Sequence, residues 1–474
     1  MFRRSSWGYL LLIASSVAIF IATISPFNFV ITDSFSENII IDSFHGSTNI
    51  KDYVRNILLF VCFGLACAKI LTNKKYRLDK ILTLCFLLSA IFSLSIELTQ
   101  ILLPSRISSF SDIICNSLGG LLGGSIYCWR KDFARLIYSV INRDYRQINL
   151  QFLAAIIVSY IATIICSWAL LINSINLSNW SKDAYLAIAS EVTGQIFWRG
   201  SIASLYICDR AIDRSEIDRA FKSTNSFFSR SPNLVTSFLF SEVRPFYSDK
   251  KAGTPDLHWQ QQSPYRSSSY SSNNLIENVK ATTIDRQAHN YNSVLFERKN
   301  SLISVAPATD LNQRIRTAQE FTLSIILATN KLKQVGPSRI VSLGENIYHR
   351  NLMLGQEDSN LVFYFRTPIT GERATQPGFY IPNFFQDTNF HQILITFSDR
   401  QITFYVDNPS RQYNFIFQPS TLLKLFLPLL VEQWNINLAS FDLLKAKIVF
   451  RSFVLIPMAG LIYIFVRRCT VKIR

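Results

Sequence analysis

Seven polar residues stand inside apolar segments of the first quarter of the chain, at spacings that would place them on shared helix faces. Ionisable residues in such surroundings are costly to bury, and they commonly bind ions or ligands or carry protons. They could instead form a polar network that fixes helix packing without any chemistry. The sequence leaves both interpretations open. The seven residues are Asp52, Asn56, Glu97, Gln100, Arg106, Asp112 and Asn116.

The spacing of five of these residues predicts a common site at one end of a helical hairpin. Glu97 and Gln100 are three residues apart, and Asp112 and Asn116 are four apart, so each pair shares a helix face. Arg106 lies in the short connection between the two pairs. An ion pair between Glu97 and Arg106 would lower the cost of burying both charges.

A glycine-rich run, LGGLLGG, follows these residues. It contains two interleaved pairs of glycines four residues apart, a spacing that lets the backbone of a neighbouring helix approach closely. A phosphate-binding loop would need a following Lys-Ser/Thr pair, and the run has none. We therefore predict a helix-packing role for Gly119, Gly120, Gly123 and Gly124.

Long uncharged segments indicate that these residues belong to a membrane protein. Residues 7–24, 81–96, 113–129 and 147–181 have no charged side chain, which is typical of membrane spans and argues against a single soluble enzyme. An aromatic content of 13% excludes a disordered chain. We predict a membrane α-helical bundle of about six spans in the lipid bilayer, near residues 7–25, 54–71, 81–103, 112–129, 152–172 and 448–466.

Positive charge alternates along the predicted connections. Residues 1–7, 72–80, 130–146 and the tail 467–474 are basic, whereas residues 26–52 and 104–111 carry one basic residue each. By the positive-inside rule, both termini are then cytoplasmic and residues 174–447 lie outside. Since membrane topology accounts for most of the net charge of +16, we expect no nucleic-acid partner.

Three stretches within about residues 1–130 resemble the VanZ-like family of bacterial membrane proteins. They are SPFNF (25–29), KDYVRNILLFVCFG (51–64) and SIELTQILLPSRISSFSDIICNSLGGLLGG (95–124). The family pattern includes all seven polar residues, but Cys62 stands where the family commonly has Pro. The resemblance implies a bacterial plasma (inner) membrane. The family is named after a protein linked to low-level teicoplanin resistance. Because no biochemical activity is established for the family, the resemblance implies no particular reaction.

The segment between the last two predicted spans has a different pattern. Runs rich in β-branched and aromatic residues predict strands at 321–329, 360–367, 391–398 and 401–408, and Asp399-Arg400 predicts a tight hairpin turn. Many short strands without intervening helices predict an all-β antiparallel jelly roll or sandwich. Cys208 is the only cysteine of this segment, so no internal disulfide is expected.

These strands resemble the laminin-G-like branch of the concanavalin A-like lectin/glucanase superfamily. HQILITFSDRQITFYVDN (391–408) is similar to its His-bearing strand and Tyr-Val-Asp-Gly hairpin, with Asn408 in place of Gly. FWRGSIASLYICDRAIDRSEI (197–217) resembles the strand and helical turn that normally close such a domain, but here it comes first. The resemblance therefore implies a circularly permuted domain, with two truncated domains as the alternative.

The residues expected of a glycosidase are missing from this segment. Glucanases of the superfamily carry Glu-x-Asp-x-x-Glu on one strand face, whereas Glu357 and Asp358 are adjacent and would point to opposite faces. His391 is predicted as a packed strand histidine rather than a catalytic base. We predict no catalytic residue, no metal site and no cofactor. Calcium occurs in the superfamily, but the sequence has no Asp-x-Asp-x-Asp-Gly loop to bind it.

The predicted organisation leaves two functional hypotheses. The order is a four-span module at 1–130, a basic cytoplasmic loop at 131–151, a fifth span at 152–172, an exported β-domain at 174–447, a sixth span at 448–466 and a cytoplasmic tail at 467–474. In the first hypothesis, the protein is no enzyme, and its exported domain binds an envelope glycan or protein. In the second, the membrane module acts on a lipid or envelope precursor through the polar residues around Glu97, with a link to glycopeptide-antibiotic tolerance.

Overall fold

A computed structural model of the chain describes most of the sequence. The described part forms two compact units, a helical unit that ends at Leu170 and resumes at Lys445 and a β-rich unit between them. The described residues are 6–25, 27, 50–101, 103, 109–194, 196–261, 281–284, 291–297, 300–375, 377–423 and 435–473.

Helices occupy all six segments predicted as spans, and further helices lie between them. In chain order the α-helices are α1 (Ser6–Ile24), α2 (Ile50–Asn73), α3 (Leu78–Gln100), α4 (Phe110–Cys128), α5 (Arg130–Ile141), α6 (Leu150–Asn173), α7 (Arg214–Lys222), α8 (Thr224–Arg230), α9 (Thr309–Ala318) and α10 (Leu443–Ile473).

The number of strongly apolar helices differs from the predicted six. Within the described ranges, five helices, α1, α2, α3, α6 and α10, are long and apolar enough to cross a membrane. The helix α4 does not reach that hydropathy, because Asp112, Asn116 and four glycines replace apolar side chains. The connection predicted as a basic loop contains α5, whose exposed face carries Ile137 and Ile141.

The first four helices pack around a shared apolar core. Ile19 of α1, Phe60 and Phe63 of α2, and Cys85 and Ile96 of α3 are buried in one cluster. The rings of Phe60 and Phe63 contact each other with centroids 5.9 Å apart. Because this core is made largely of side chains from α1, α2 and α3, helix α4 joins the bundle through its glycines.

The β-rich unit contains seventeen strands among the residues that the structure describes. They are β1 (Tyr185–Ile188), β2 (Gly200–Cys208), β3 (Leu234–Leu239), β4 (Phe246–Tyr247), β5 (Leu257–Gln261), β6 (Ala281–Ile284), β7 (Tyr291–Phe296), β8 (Asn300–Ser304), β9 (Phe321–Thr329), β10 (Gln334–Gly344), β11 (Arg350–Asp358), β12 (Asn360–Phe365), β13 (Gly378–Ile381), β14 (His391–Ser398), β15 (Gln401–Val406), β16 (Asn408–Ile416) and β17 (Asn435–Asn437).

These strands form two sheets in which early and late parts of the sequence alternate. A nine-stranded sheet has the order β17-β13-β12-β11-β10-β1-β8-β5-β4, and an eight-stranded sheet contains β16-β15-β14-β9-β2-β7-β6, with β3 also paired to β2. Almost all pairs are antiparallel, the β13–β17 pair being parallel. Strand β1 lies between β10 and β8 inside the nine-stranded sheet, and β2 lies between β9 and β7 inside the eight-stranded sheet.

Phenylalanines join the two sheets. Phe321 of β9 lies 6.4 Å from Phe363 of β12 between ring centroids, and Phe404 of β15 lies 5.5 Å from Phe363. Asp399 and Arg400 both have positive φ, which is the turn geometry expected of a two-residue hairpin between β14 and β15. The predicted antiparallel β-structure is confirmed, whereas a jelly-roll topology stays a prediction.

Candidate functional site

The structure places the predicted polar residues of the membrane region in different surroundings. Glu97 is 2% exposed and lies near the end of α3, and Gln100 and Asn116 are also buried. Asp112 occupies the first turn of α4. Arg106 lies outside the described residues, so its predicted pairing with Glu97 stays a prediction.

The Glu97 carboxylate contacts the backbone at the start of α4. Its Oε2 accepts a hydrogen bond of 2.9 Å from the Ser109 backbone N–H, and the Ser109 hydroxyl lies 2.6 Å from that of Ser111. Ser109 is the residue immediately before α4, where backbone N–H groups have no acceptor within the helix. Glu97 therefore holds the end of α3 against the beginning of α4.

Two amide side chains join neighbouring helices. Gln100 Nε2 donates to the Thr23 carbonyl of α1 at 2.9 Å, and Asn116 Nδ2 donates to the Ser93 hydroxyl of α3 at 2.8 Å. Hydrogen bonds of this kind between membrane helices contribute about 0.6 kcal/mol on average. Both contacts fix helix packing, and Gln100 and Asn116 present their amide nitrogens to the protein itself.

The polar pair at the start of α2 is more exposed. Asp52 forms an ion pair of 3.7 Å with Arg55 on the same helix, and its side chain is nearly half exposed. Asn56, one turn further along α2, is half-buried. These two residues are thus accessible in a way that Glu97 is not.

The four glycines of α4 face two different helices. A Cβ on Gly119 or Gly123 would lie 2.2 Å from the Ile57 carbonyl oxygen or 2.0 Å from that of Val61, both on α2. A Cβ on Gly120 would lie 1.9 Å from the Ser89 hydroxyl of α3.

The fourth glycine, Gly124, faces α3 as well. A Cβ there would lie 3.0 Å from the thiol of Cys85. Gly119 and Gly123 therefore allow close approach of α2, and Gly120 and Gly124 allow close approach of α3. Helix α4 is wedged between these two helices.

In the β-rich unit, His391 sits between two carboxylates. Its Nδ1 lies 2.9 Å from Asp407 and its Nε2 3.4 Å from Asp387. Burial favours the neutral imidazole, but the hydrogen bond and charge of Asp407, together with Asp387, outweigh it and raise the pKa of His391. Across the described ranges, no group of three or more His, Cys, Asp or Glu side chains could hold a metal ion.

Sequence reasoning missed a set of buried charges in the β-rich unit. Glu191, Arg339, Arg350 and Arg366 are each less than a tenth exposed. The sequence does contain a sign of this burial. Arg339, Arg350 and Arg366 each stand beside or within an apolar strand run, as in SRIVSLG, HRNLMLG and VFYFRT. A charge in such a run is either at a strand end or buried, and only the fold distinguishes these cases.

Comparison with known proteins extends over the helical unit only. The family model described as VanZ/LLP1 matches residues 3–131, which include α1 to α4 and all the predicted polar residues and glycines. Searches of curated proteins and of solved structures returned no match. The chain therefore combines a VanZ-like membrane region at residues 3–131 with a β-rich domain inserted before its last apolar helix.

Proposed function

We propose that the chain is an integral protein of a bacterial plasma membrane whose β-rich domain, residues 174–447, lies outside the cytoplasm. There it binds a cell-envelope glycan or protein without catalysing a reaction. Both termini are cytoplasmic in this proposal, and the VanZ-like region with its two further helices anchors the domain. The support comes from the helices on either side of the domain.

The main support is the contact between α6 and α10, the helices that enter and leave the β-rich domain. Tyr160 of α6 donates a hydrogen bond of 3.0 Å to the Val454 carbonyl of α10. Arg468, near the end of α10, donates one of 2.8 Å to the Ile148 carbonyl just before α6. The basic end of α10 is thus next to the start of α6, beside Arg146. By the positive-inside rule, that shared end is cytoplasmic and the domain leaves from the opposite end.

Six crossings are consistent with this orientation. With α4 counted as a span, the basic connections after α2 and around α5 fall on the same side as Arg468. The weak hydropathy of α4 does not oppose this, because its glycine faces contact α2 and α3 rather than lipid. Polar residues in a membrane helix are tolerated where they face the bundle interior.

The sequence lacks the Glu-x-Asp-x-x-Glu run of the superfamily's glucanases, which supports binding rather than hydrolysis. Retaining or inverting chemistry needs two carboxylates facing each other across a bond. Glu357 and Asp358 are consecutive at the end of β11, where they alternate in direction. The similarity of the strand sequences to concanavalin A-like domains favours a glycan as ligand, with protein as the alternative.

Labelling of introduced cysteines tests the topology. Val335 of β10 is 92% exposed, and Lys74 lies in the turn between α2 and α3. We expect a membrane-impermeant maleimide to label Val335→Cys in intact spheroplasts and to label Lys74→Cys only after lysis. The unsubstituted chain, which has the same eight native cysteines, is the background control. Labelling of Val335→Cys only after lysis would contradict the proposed orientation.

Retention of envelope material tests binding. The full chain in lipid nanodiscs should retain purified cell-wall glycan fractions, compared with empty nanodiscs. If it retains neither glycan nor envelope protein, the binding proposal is wrong even when the topology is right.

A second function is favoured by one observation. The Glu97 carboxyl group is 2% exposed within an apolar helix, and buried carboxyl groups of membrane helices often serve transport or catalysis. In this alternative the membrane region acts on a lipid or envelope precursor, with a link to glycopeptide-antibiotic tolerance. The substitution Glu97→Gln, described below, separates it from a packing role.

A further inference from the structure

Two buried arginines of the nine-stranded sheet have nitrogen donors that the protein leaves unused. Arg339 of β10 is 5% exposed and Arg350, the first residue of β11, is 6% exposed. The Nε–H of each is buried and has no hydrogen-bond partner among the described residues. Each guanidinium does donate through one Nη to a nearby carbonyl, that of Pro337 or Ile347. Leaving a buried cationic donor unpaired is costly, so an acceptor is expected at this position.

The two arginines are accompanied by an aromatic ring on one face of the sheet. Arg339 pairs with Gly355, and Gly355 pairs with Val362, so these three residues share a face. Tyr364, two residues after Val362, is on that face too, and the Arg350 guanidinium carbon lies 5.9 Å from its ring centroid. The alternate residues of β12 carry the phenylalanines that contact the other sheet. The arginine pair therefore lies on the face turned away from the core between the sheets.

A carboxylate with an open acceptor completes the cluster. Glu191, in the turn after β1, is 1% exposed, and its Oε2 is buried without a hydrogen-bond partner in the described part of the chain. Burial raises the pKa of Glu191, and the charges of Arg339 and Arg350 act in the opposite direction. Neither arginine is within salt-bridge distance of it in the described residues. The three charges are thus close enough to interact but do not satisfy one another.

More exposed groups lie at the edge of this cluster. The guanidinium of Arg373 lies 4.7 Å from the ring centroid of Tyr348, which is 50% exposed. Arg373 is itself exposed, and its charge acts on Arg350. An exposed cation and an exposed aromatic ring therefore lie near Arg350, an arrangement suited to an anionic ligand with a flat apolar face.

We propose that Arg339, Arg350 and Glu191 form a binding site for an acidic sugar unit. The oxyanion of the sugar accepts hydrogen bonds from the two Nε–H groups, as guanidinium groups commonly bind carboxylates and phosphates. A neighbouring hydroxyl of the same sugar donates to Glu191 Oε2, and Tyr348 packs against the ring. A bare anion fits less well, because it would be repelled by Glu191 and offers it no donor. This inference rests on the proposed envelope-binding function and specifies its ligand class.

Titration of the full chain in nanodiscs with three sugars tests the site. Trigalacturonate carries carboxylates, glucose 6-phosphate carries a phosphate, and maltotriose is neutral. We expect at least one anionic sugar to bind and maltotriose to bind much more weakly, and the anionic sugar that binds identifies the oxyanion. Since a charged hydrogen bond is lost, Arg339→Gln and Arg350→Gln should each weaken that binding by about ten- to a hundredfold.

A matched variant controls for the loss of any buried arginine. Arg366, directly after β12, is 8% exposed, and its Nε–H is likewise buried without a hydrogen-bond partner among the described residues, but its guanidinium pairs with Glu372 at 3.3 Å. Arg366→Gln should bind the anionic sugar like the unsubstituted chain. If a glutamine variant fails to fold, Arg339→Lys decides, because it keeps the charge, removes Nε, and should still weaken binding about tenfold.

The outcomes separate this inference from the broader proposal. If cell-wall glycan is retained while all anionic sugars fail to bind, or while the arginine variants bind them normally, the site is wrong and the envelope-binding proposal stands. Equal losses of thermal stability in Arg339→Gln and Glu191→Gln with unchanged sugar binding would also overturn the site, since they indicate a structural cluster. If no envelope fraction and no sugar binds, both proposals fail together.

Discussion

Buried polar donors are used differently in the helical and β-rich units. In the helical unit, Gln100 Nε2 and Asn116 Nδ2 each have an acceptor on another helix, and Glu97 accepts from the backbone of Ser109. In the β-rich unit, the Nε groups of Arg339 and Arg350 are buried without an acceptor in the described residues. The helical donors are satisfied within the chain and are explained by packing, whereas the two arginine Nε–H groups are the donors that the proposed sugar site would use. The comparison fits a packing role for these polar residues of the first unit and, under our proposal, a recognition role for the second unit.

The largest expected effect concerns the glycine faces of α4. A Cβ at position 123 would meet the backbone of α2, which cannot rotate away as a side chain can. We expect Gly123→Ala to destabilise the full chain by about 3 kcal/mol and to reduce its level in the membrane. Thermal unfolding in detergent and quantitative blotting of membranes measure the two effects.

Two matched substitutions sharpen this test. At Gly124 the obstacle is the Cys85 side chain at 3.0 Å, whereas no atom of the described residues would contact a Cβ on Gly460 of α10 within 4 Å. Gly124→Ala should therefore cost clearly less than Gly123→Ala, and Gly460→Ala should change little. Equal tolerance at all three positions would mean that α4 is not wedged between its neighbours.

A smaller effect is expected at Glu97, where packing and chemistry make opposite predictions. Glu97→Gln keeps the shape and an acceptor for the Ser109 N–H, so membrane level and stability should remain unchanged. Glu97→Leu removes that hydrogen bond and should cost about 1–3 kcal/mol. If the membrane region uses a charged Glu97, the glutamine variant loses any phenotype of the full protein at normal abundance. If Glu97→Gln keeps the full phenotype while Glu97→Leu lowers the amount of protein in the membrane, only the packing role of Glu97 remains.

The smallest expected effect is a pH dependence from His391. Its folded-state pKa is raised, so the folded state favours the charged imidazole, and this contribution is complete below about pH 6.5 and disappears as the pH rises through the folded pKa. With Asp407 and Asp387 as partners the gain is about 0.2–1 kcal/mol. Relative to His391→Gln, the unsubstituted chain should be more stable at about pH 5.5 than at about pH 8.5.

The control for this pH test is another histidine of the same unit. His258 of β5 is exposed and stacks on Phe246 with ring centroids 5.5 Å apart. His258→Gln should leave the pH profile of thermal unfolding as it is in the unsubstituted chain. A profile that is unchanged by His391→Gln would show that the two aspartates do not stabilise the charged ring.

Local pattern predicts local structure well in this chain. Strand β9 occupies the predicted residues 321–329 because all of its residues except Ser324 are β-branched or apolar, and the Asp399-Arg400 turn follows from the strands on both sides. The six apolar segments predicted as spans are likewise all helical in the structure. The polar and glycine residues of the membrane region could also be singled out, since polarity in an apolar segment is conspicuous.

What escaped prediction depends on contacts between distant parts of the sequence. Glu191 lies near enough to Arg339 and Arg350 for their charges to act on it only because β1 inserts between β10 and β8, and no local pattern encodes that strand pairing. The basic residues of α5 predict a cytoplasmic connection, but positive charge alone does not show that this connection is helical. The hydropathy of α4 likewise does not predict how tightly this helix packs. Glycine contributes little to hydropathy, but it allows neighbouring helices to approach closely.

The interior position of β1 and β2 has a consequence for how the domain is made. Strand β2 pairs with β9, and β1 pairs with β10, so neither sheet can close before residues 321–344 are present. In the proposed topology, translocation delivers β1 and β2 first, and the edges that pair with β10 and β9 stay unpaired and prone to aggregate until those strands follow. Such non-local pairing also makes folding intrinsically slow. The newly exported segment therefore depends on being held in an unfolded, protected form at the membrane surface until its later strands emerge.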